Sequence, residues 1–181
     1  MLFDYISIFA GIIKIVLYTI IYHSRISYKN IPKINGNFHI SLRKGTSLII
    51  GKNFKGRNNI NIRNDKMGKI LIGNNVFFND NVSLNCQNSI IIGDNVAIGH
   101  NVLIIDHDHD YKRNMKNFIS KEIKIGSNVW IGANVTILKG VTIGNNVVVG
   151  ANTLIKNDIG SNQILLEKKE YFSKEIKKEG K

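Results

Sequence analysis

Cysteine, proline and tryptophan each occur once among the 181 residues, as Cys86, Pro32 and Trp130. One cysteine cannot form an internal disulfide, so the chain is not a disulfide-stapled scaffold, and it fits a reducing compartment. Cys86 lies in a strand-like run, where a buried structural thiol is expected rather than a nucleophile. The scarcity of proline suits stacked strands, whose backbone N–H groups all join ladders. Acidic residues are also few: 13 Asp and Glu against 25 Lys and Arg leave a formal charge of +12. That imbalance points to an anionic partner. No aromatic–basic interleaving of the single-strand-binding kind occurs, and no motif of a groove-reading helix, so nucleic acid is not expected. Residues 2–22 are apolar but lack a basic leader region and a small-residue cleavage site, which excludes a signal peptide.

What is present is a beat of six. Aliphatic residues fall at Ile125, Ile131, Ile137, Ile143, Val149 and Ile155, and four places after each comes Val129, Val135, Val141, Val147, Thr153 or Ile159. A helix repeats at 3.6 and a flat strand at 2, so neither yields a strict six. A triangular coil does, with three short flat sides and the recurring aliphatic side chain pointing inward. Gly and Asn suit the corners because both tolerate positive φ. The fold expected is mainly β, a left-handed parallel β-helix. Its bounds are read as 31–160, preceded by an apolar helix and basic linker over 1–30. A basic tail over 161–181, with Leu165, Phe172 and Ile176 at helical spacing, is expected to form a short capping helix.

The N-terminal stretch is long enough to span a bilayer. However, Asp4, Ser7, Gly11, Lys14 and Tyr18 form one narrow polar stripe, which favours a helix at a membrane surface or packed on protein. His23, Arg25, Lys29 and Lys33 follow it and would keep the next domain on the cytoplasmic side, peripheral at the inner face of the membrane. One segment breaks the solenoid pattern. Asp106-His107-Asp108-His109-Asp110-Tyr111-Lys112-Arg113-Asn114 is too polar for a core and reads as a loop over 106–122 leaving a corner. Two histidines and three aspartates on one excursion from a monotonous scaffold suggest chemistry.

The hexapeptide beat, the block IGSNVWIGANVTILKGVTIGNNVVVGANTLIKNDI and the preceding His-bearing loop resemble the hexapeptide-repeat O-acetyltransferases, in the branch that modifies capsule, lipopolysaccharide or related surface glycans. The resemblance implies acetyl-CoA as co-substrate, a glycan or sugar-containing acceptor, a homotrimer and no metal. It implies a catalytic His on the loop, for which His109 fits the His-Asp-Tyr string and His107 is the alternative. Neutral imidazole can take the proton of a sugar hydroxyl as it attacks a thioester. Asp106, Asp108 and Asp110 are candidates to orient the ring, Asp106 also to touch the acceptor. The family's acceptor-side Asn is matched to Asn81, with Asn85 as a neighbour, and Trp130 is expected outward as a wall for the sugar or the pantetheine arm. Gly132, Ala133, Gly150 and Ala151 correspond to the pantetheine groove and Lys156 to the phosphate-binding base, although Asn157 stands where the family's lysine usually does. Three rivals remain: a zinc site on His100, His107 and His109, a non-catalytic scaffold for glycan assembly, and an acetyltransferase for a small soluble sugar or xenobiotic.

Overall fold

The computed structural model describes residues 2–168. Helix α1 (Leu2–Tyr22) and a 3₁₀ turn (His23–Arg25) lead into a three-sided parallel solenoid. The first coil is β1 (Ile26–Tyr28), β2 (Lys33–Ile34) and β3 (Phe38–Leu42); the second is β4 (Ser47–Ile50), β5 (Lys55–Gly56) and β6 (Ile60–Asn64). The third is β7 (Lys69–Ile72), β8 (Phe77–Phe78) and β9 (Ser83–Cys86), and the fourth is β10 (Ser89–Ile92), β11 (Ala97–Ile98) and β12 (Leu103–Ile105). A hairpin, β13 (His107–Asp110) and β14 (Asn114–Ser120), then projects. Coil five is β15 (Ile123–Ile125), β16 (Trp130–Ile131) and β17 (Thr136–Ile137), and coil six is β18 (Thr142–Ile143), β19 (Val148–Val149) and β20 (Leu154–Ile155). A partial seventh adds β21 (Ile164–Leu165). Stacking makes one sheet per side, in the orders β1-β4-β7-β10-β15-β18, β2-β5-β8-β11-β16-β19-β21 and β3-β6-β9-β12-β17-β20.

The six-residue beat is the core. Ile125, Ile131, Ile137, Ile143, Val149 and Ile155 are 0–2% exposed, and their counterparts four places on are all buried. Burying aliphatic side chains from three sides at once is what fixes strand register, since a one-residue slip would turn each row outward. Two of the corners are locked by stacked asparagines. Asn53, Asn75, Asn95, Asn128, Asn146 and Asn162 adopt φ between 56° and 61° and donate side-chain amide to side-chain carbonyl down the column. Asn59, Asn81, Asn101, Asn134 and Asn152 do the same at the next corner. The left-handed φ is cheap for Asn and the amide ladder satisfies groups that would otherwise face only water.

The third corner is irregular. Successive Asn partners lie 22, 20, 33, 18 and 16 residues apart along the chain, and the variation is absorbed where the β3 side turns into the β4 side. The hairpin leaves from this corner of coil four.

Two sequence expectations change. The solenoid begins at Ile26 rather than 31, because β1 is too short to show alternation, and it continues past 160 through a bridge at Ile159 and β21. Residues 161–168 contain no helix, and the rest of the expected capping helix lies outside the described residues. Of the two settings open to α1, packing on protein is seen: Gly11, Lys14 and Tyr18 of its polar stripe turn toward the first coil. Gly11 and Ile15 are buried against the first coil; a Cβ on Gly11 would come within 2.1 Å of the Ile34 carbonyl oxygen, so only glycine admits this approach. Lys14, Tyr22 and Arg25 donate to the carbonyls of Phe38, Ile40 and Leu42 along the free edge of β3, which caps it.

Candidate active site

At the third corner of coil four Asp106 is fully buried. Its carboxylate accepts the backbone N–H groups of Gln87 (2.8 Å), Asn88 (2.7 Å) and Ser89 (2.9 Å) on the coil below, and the Cys86 thiol donates at 3.3 Å. An anion held by three N–H donors is firmly placed. Asp106 therefore cannot contact an acceptor, and its role as a substrate residue is withdrawn in favour of anchoring. Burial, then the charge of Asp106, pushes the Cys86 thiol well above the usual thiol range, so it stays protonated and is a poor nucleophile.

Asp106 Oδ1 also meets His107 Nδ1 at 2.9 Å. A carboxylate only accepts, so Nδ1 carries the proton and Nε2 is the free lone pair. The ring is 15% exposed and stands edge-on to Phe118 of β14 at 5.3 Å. The segment expected as a loop is in fact a hairpin, paired His107 to Ser120 and His109 to Phe118. His109, on the same strand, donates Nδ1–H to the Met115 carbonyl at 2.6 Å and lies 4.4 Å from Phe118, but is exposed. Asp110 accepts the Arg113 N–H in the hairpin turn, and Asp108 pairs with Lys139 of the next coil. Neither touches an imidazole.

Both histidines line a cavity of about 640 Å³ with Arg43, Arg63, Asp65, Lys66, Asn85, Gln87 and Phe118. The structure thus brings Asn85 to the histidines and leaves Asn81 away. Asn81 sits at the other end of the strand in the second Asn ladder and lines a separate cleft with Lys14 and His39. His100 pairs with Asp80 at that same distant corner, so the zinc triad is not assembled in this chain. Trp130 is outward and 59% exposed, between Ala97 and Val148 on the side opposite the histidine corner, so within one chain it walls nothing at that site. Gly132, Ala133, Gly150 and Ala151 stack on the second Asn corner, where the N–H groups of Gly132 and Gly150 are spent on Val149 and Leu165. Lys156 is exposed at the histidine corner two coils on. Arg43, Arg63, Lys66 and Gln87 escaped the sequence reading because irregular corner lengths hide which residues stack.

A family model described as bacterial transferase hexapeptide (six repeats) matches residues 122–157. A protein of Escherichia coli (strain K12) named for lipopolysaccharide biosynthesis O-acetyl transferase, WbbJ, is 31% identical over 156 residues, 78% of each chain. A hexapeptide-repeat acetyltransferase of Vibrio cholerae O1 biovar eltor, solved with acetyl coenzyme A, is 35% identical over 57% of this chain, with a TM-score of 0.50; the match spans 58% of its length. The N-acyltransferase AntD of Bacillus cereus shares the fold, at 21% identity over 83% of this chain and 81% of its own, with a TM-score of 0.66. By the beat of its core, its histidine-bearing corner and these likenesses, the chain belongs to the hexapeptide-repeat acetyltransferases.

Proposed function

We propose that this protein transfers the acetyl group of acetyl-CoA to a hydroxyl of a cell-surface glycan or its sugar precursor, with His107 as general base. The Asp106–His107 pair carries the reading, because it presents an imidazole of fixed tautomer, Nε2 free, in a cavity large enough for a sugar. The acceptor hydroxyl gives its proton to Nε2 as its oxygen attacks the thioester carbonyl. The C–S bond then breaks and the imidazolium returns the proton to the departing CoA thiolate. Asp106 stabilises the transient imidazolium without taking its proton. Asn85, on the coil beneath, is placed to position the acceptor. His107 is preferred to His109 because its anchor is a carboxylate bolted to the solenoid, whereas that of His109 is a carbonyl on the projecting hairpin. The likeness to the E. coli and Vibrio proteins supports acetyl as the group and CoA as its carrier. A homotrimer would bring the Gly132–Ala133 and Gly150–Ala151 corner and Trp130 of one copy toward the histidines of another. The test is acetyl transfer from labelled acetyl-CoA to a panel of sugars and lipid-linked glycan fractions. Label in a glycan hydroxyl ester supports the assignment; hydrolysis alone, or no turnover, rejects it.

The same reading places the enzyme on a lipid surface. Tyr5, Ile6, Phe9, Ile13, Leu17, Ile20 and Ile21 form the outward face of α1 and are 47–70% exposed. From Tyr5 to Asn64 there are ten Lys and Arg and no Asp or Glu, so ten of the net twelve charges belong to the stretch of chain that carries this face. An exposed apolar face on so cationic a stretch of chain matches an anionic bilayer.

A further inference from the structure

The cavity beside His107 holds more positive charge than binding a neutral sugar requires. Arg43 follows β3 and Arg63 lies on β6, one coil apart. Each spends only its Nε, Arg43 on one oxygen of Asp65 at 2.9 Å and Arg63 on the other at 2.8 Å. The terminal Nη groups of both have no partner among the described residues, and the side chains are 71% and 59% exposed. Lys66 stands over the Phe118 ring at 5.1 Å and makes no ion pair among the described residues. Three cations thus face the cavity against Asp65, while Asp106 is sealed beneath it and spent on backbone N–H groups. Gln87 lines the same cavity, 8% exposed, and its side-chain oxygen is buried without a hydrogen-bond partner.

Stability does not account for this arrangement. Exposed ion pairs contribute roughly 0–1 kcal/mol. As a binding device it is well made: one carboxylate fixes two guanidinium planes and leaves their donor ends open, so little rotamer freedom is left to lose on binding an anion. Resting on the sugar O-acetyltransferase reading above, we propose that this cavity is an acceptor subsite that reads negative charge. Arg43 and Arg63 take a carboxylate or phosphate carried by the acceptor, and the Gln87 amide takes a neighbouring hydroxyl. Two strand spacings, about 10 Å, separate the coil of Arg63 from that of His107. A sugar and its charged substituent bridge that interval, which leaves another hydroxyl at His107 Nε2.

The test is binding and turnover with the full chain, using galacturonate, glucose 1-phosphate and galactose as probes, followed by titration calorimetry or ligand-detected NMR. At least one anionic sugar should bind tenfold or more tightly than galactose, and the Arg43→Gln/Arg63→Gln double variant should lose that preference. The galacturonate and glucose 1-phosphate arms separate carboxylate from phosphate recognition. In turnover, Arg63→Gln should raise KM for the charged acceptor about tenfold and leave KM for acetyl-CoA unchanged. Equal affinity for charged and neutral sugars, or a preference that survives the double variant, overturns the subsite even where acetyl transfer proceeds. Charge-selective binding lost in the double variant, with no acetyl transfer to any acceptor, supports the subsite and overturns the transferase reading instead.

Discussion

At the residue scale the site depends on one buried carboxylate serving two masters. Asp106 ties coil four to the backbone of Gln87, Asn88 and Ser89 and also sets the His107 tautomer. Asp106→Asn puts an amide NH₂ where one oxygen met N–H donors. Hydrogen bonds to charged groups contribute about 1.5–3 kcal/mol, so the variant should lower unfolding stability by roughly that amount, read by urea titration. It should also lower kcat more than KM, since imidazolium is formed only during reaction. The two histidines separate in the same way. His107→Ala should cost about 10²–10⁴ in kcat with the fold intact by circular dichroism, whereas His109→Ala should keep most of the rate. The reverse ranking would move the base to His109. That a His-Asp-rich run sits at this corner is plain from its polarity; that Asp106 is its buried anchor is not. Its partners lie 17 to 19 residues back, and only the stacking of coils brings them under it.

At the element scale, legibility tracks regularity. Two corners repeat an Asn at left-handed φ, and the coil between them could be read from Ile125 onward without error because the inward residue recurs every six. The third corner carries the insertions, so register is lost where the cavity is built. This is why the sequence points to Asn81 for the acceptor side, whereas Asn85, four residues on, is the one that lines the histidine cavity. The corner ladders make their own prediction at Asn101, which has φ 56° and bonds Asn81 below and Asn134 above. Asn101→Ala loses both amide contacts and puts a Cβ residue in the left-handed region, a cost of about 1–2 kcal/mol from conformation alone. Asn101→Gly loses the same contacts without that strain and should recover much of the difference in thermal unfolding. Equal destabilisation by both would mean that the amide ladder, not backbone conformation, secures the corner.

At the scale of the whole molecule, α1 has two faces with separable duties. The inner face closes the open first coil, through the Gly11 approach to Ile34 and the donors from Lys14, Tyr22 and Arg25 to the β3 edge. A helix bound in this way lies along the end of the solenoid, so an apolar length sufficient to span a bilayer does not make it a spanning helix. The outer face is left largely exposed by the described residues. Gly11→Val should therefore displace the helix, expose the β3 edge, lower the unfolding temperature and promote aggregation. Phe9→Glu with Leu17→Glu should leave the unfolding temperature nearly unchanged, because both side chains are more than half exposed. The same pair should abolish co-sedimentation with vesicles containing phosphatidylglycerol, and wild-type binding should weaken with added salt because cations around the helix contribute. Neutral vesicles should bind the wild type less. If the double variant instead keeps its vesicle binding and changes only its oligomeric state by sedimentation, the outward face serves contact between copies of this chain, and the lipid assignment fails while the capping role of the inner face stands.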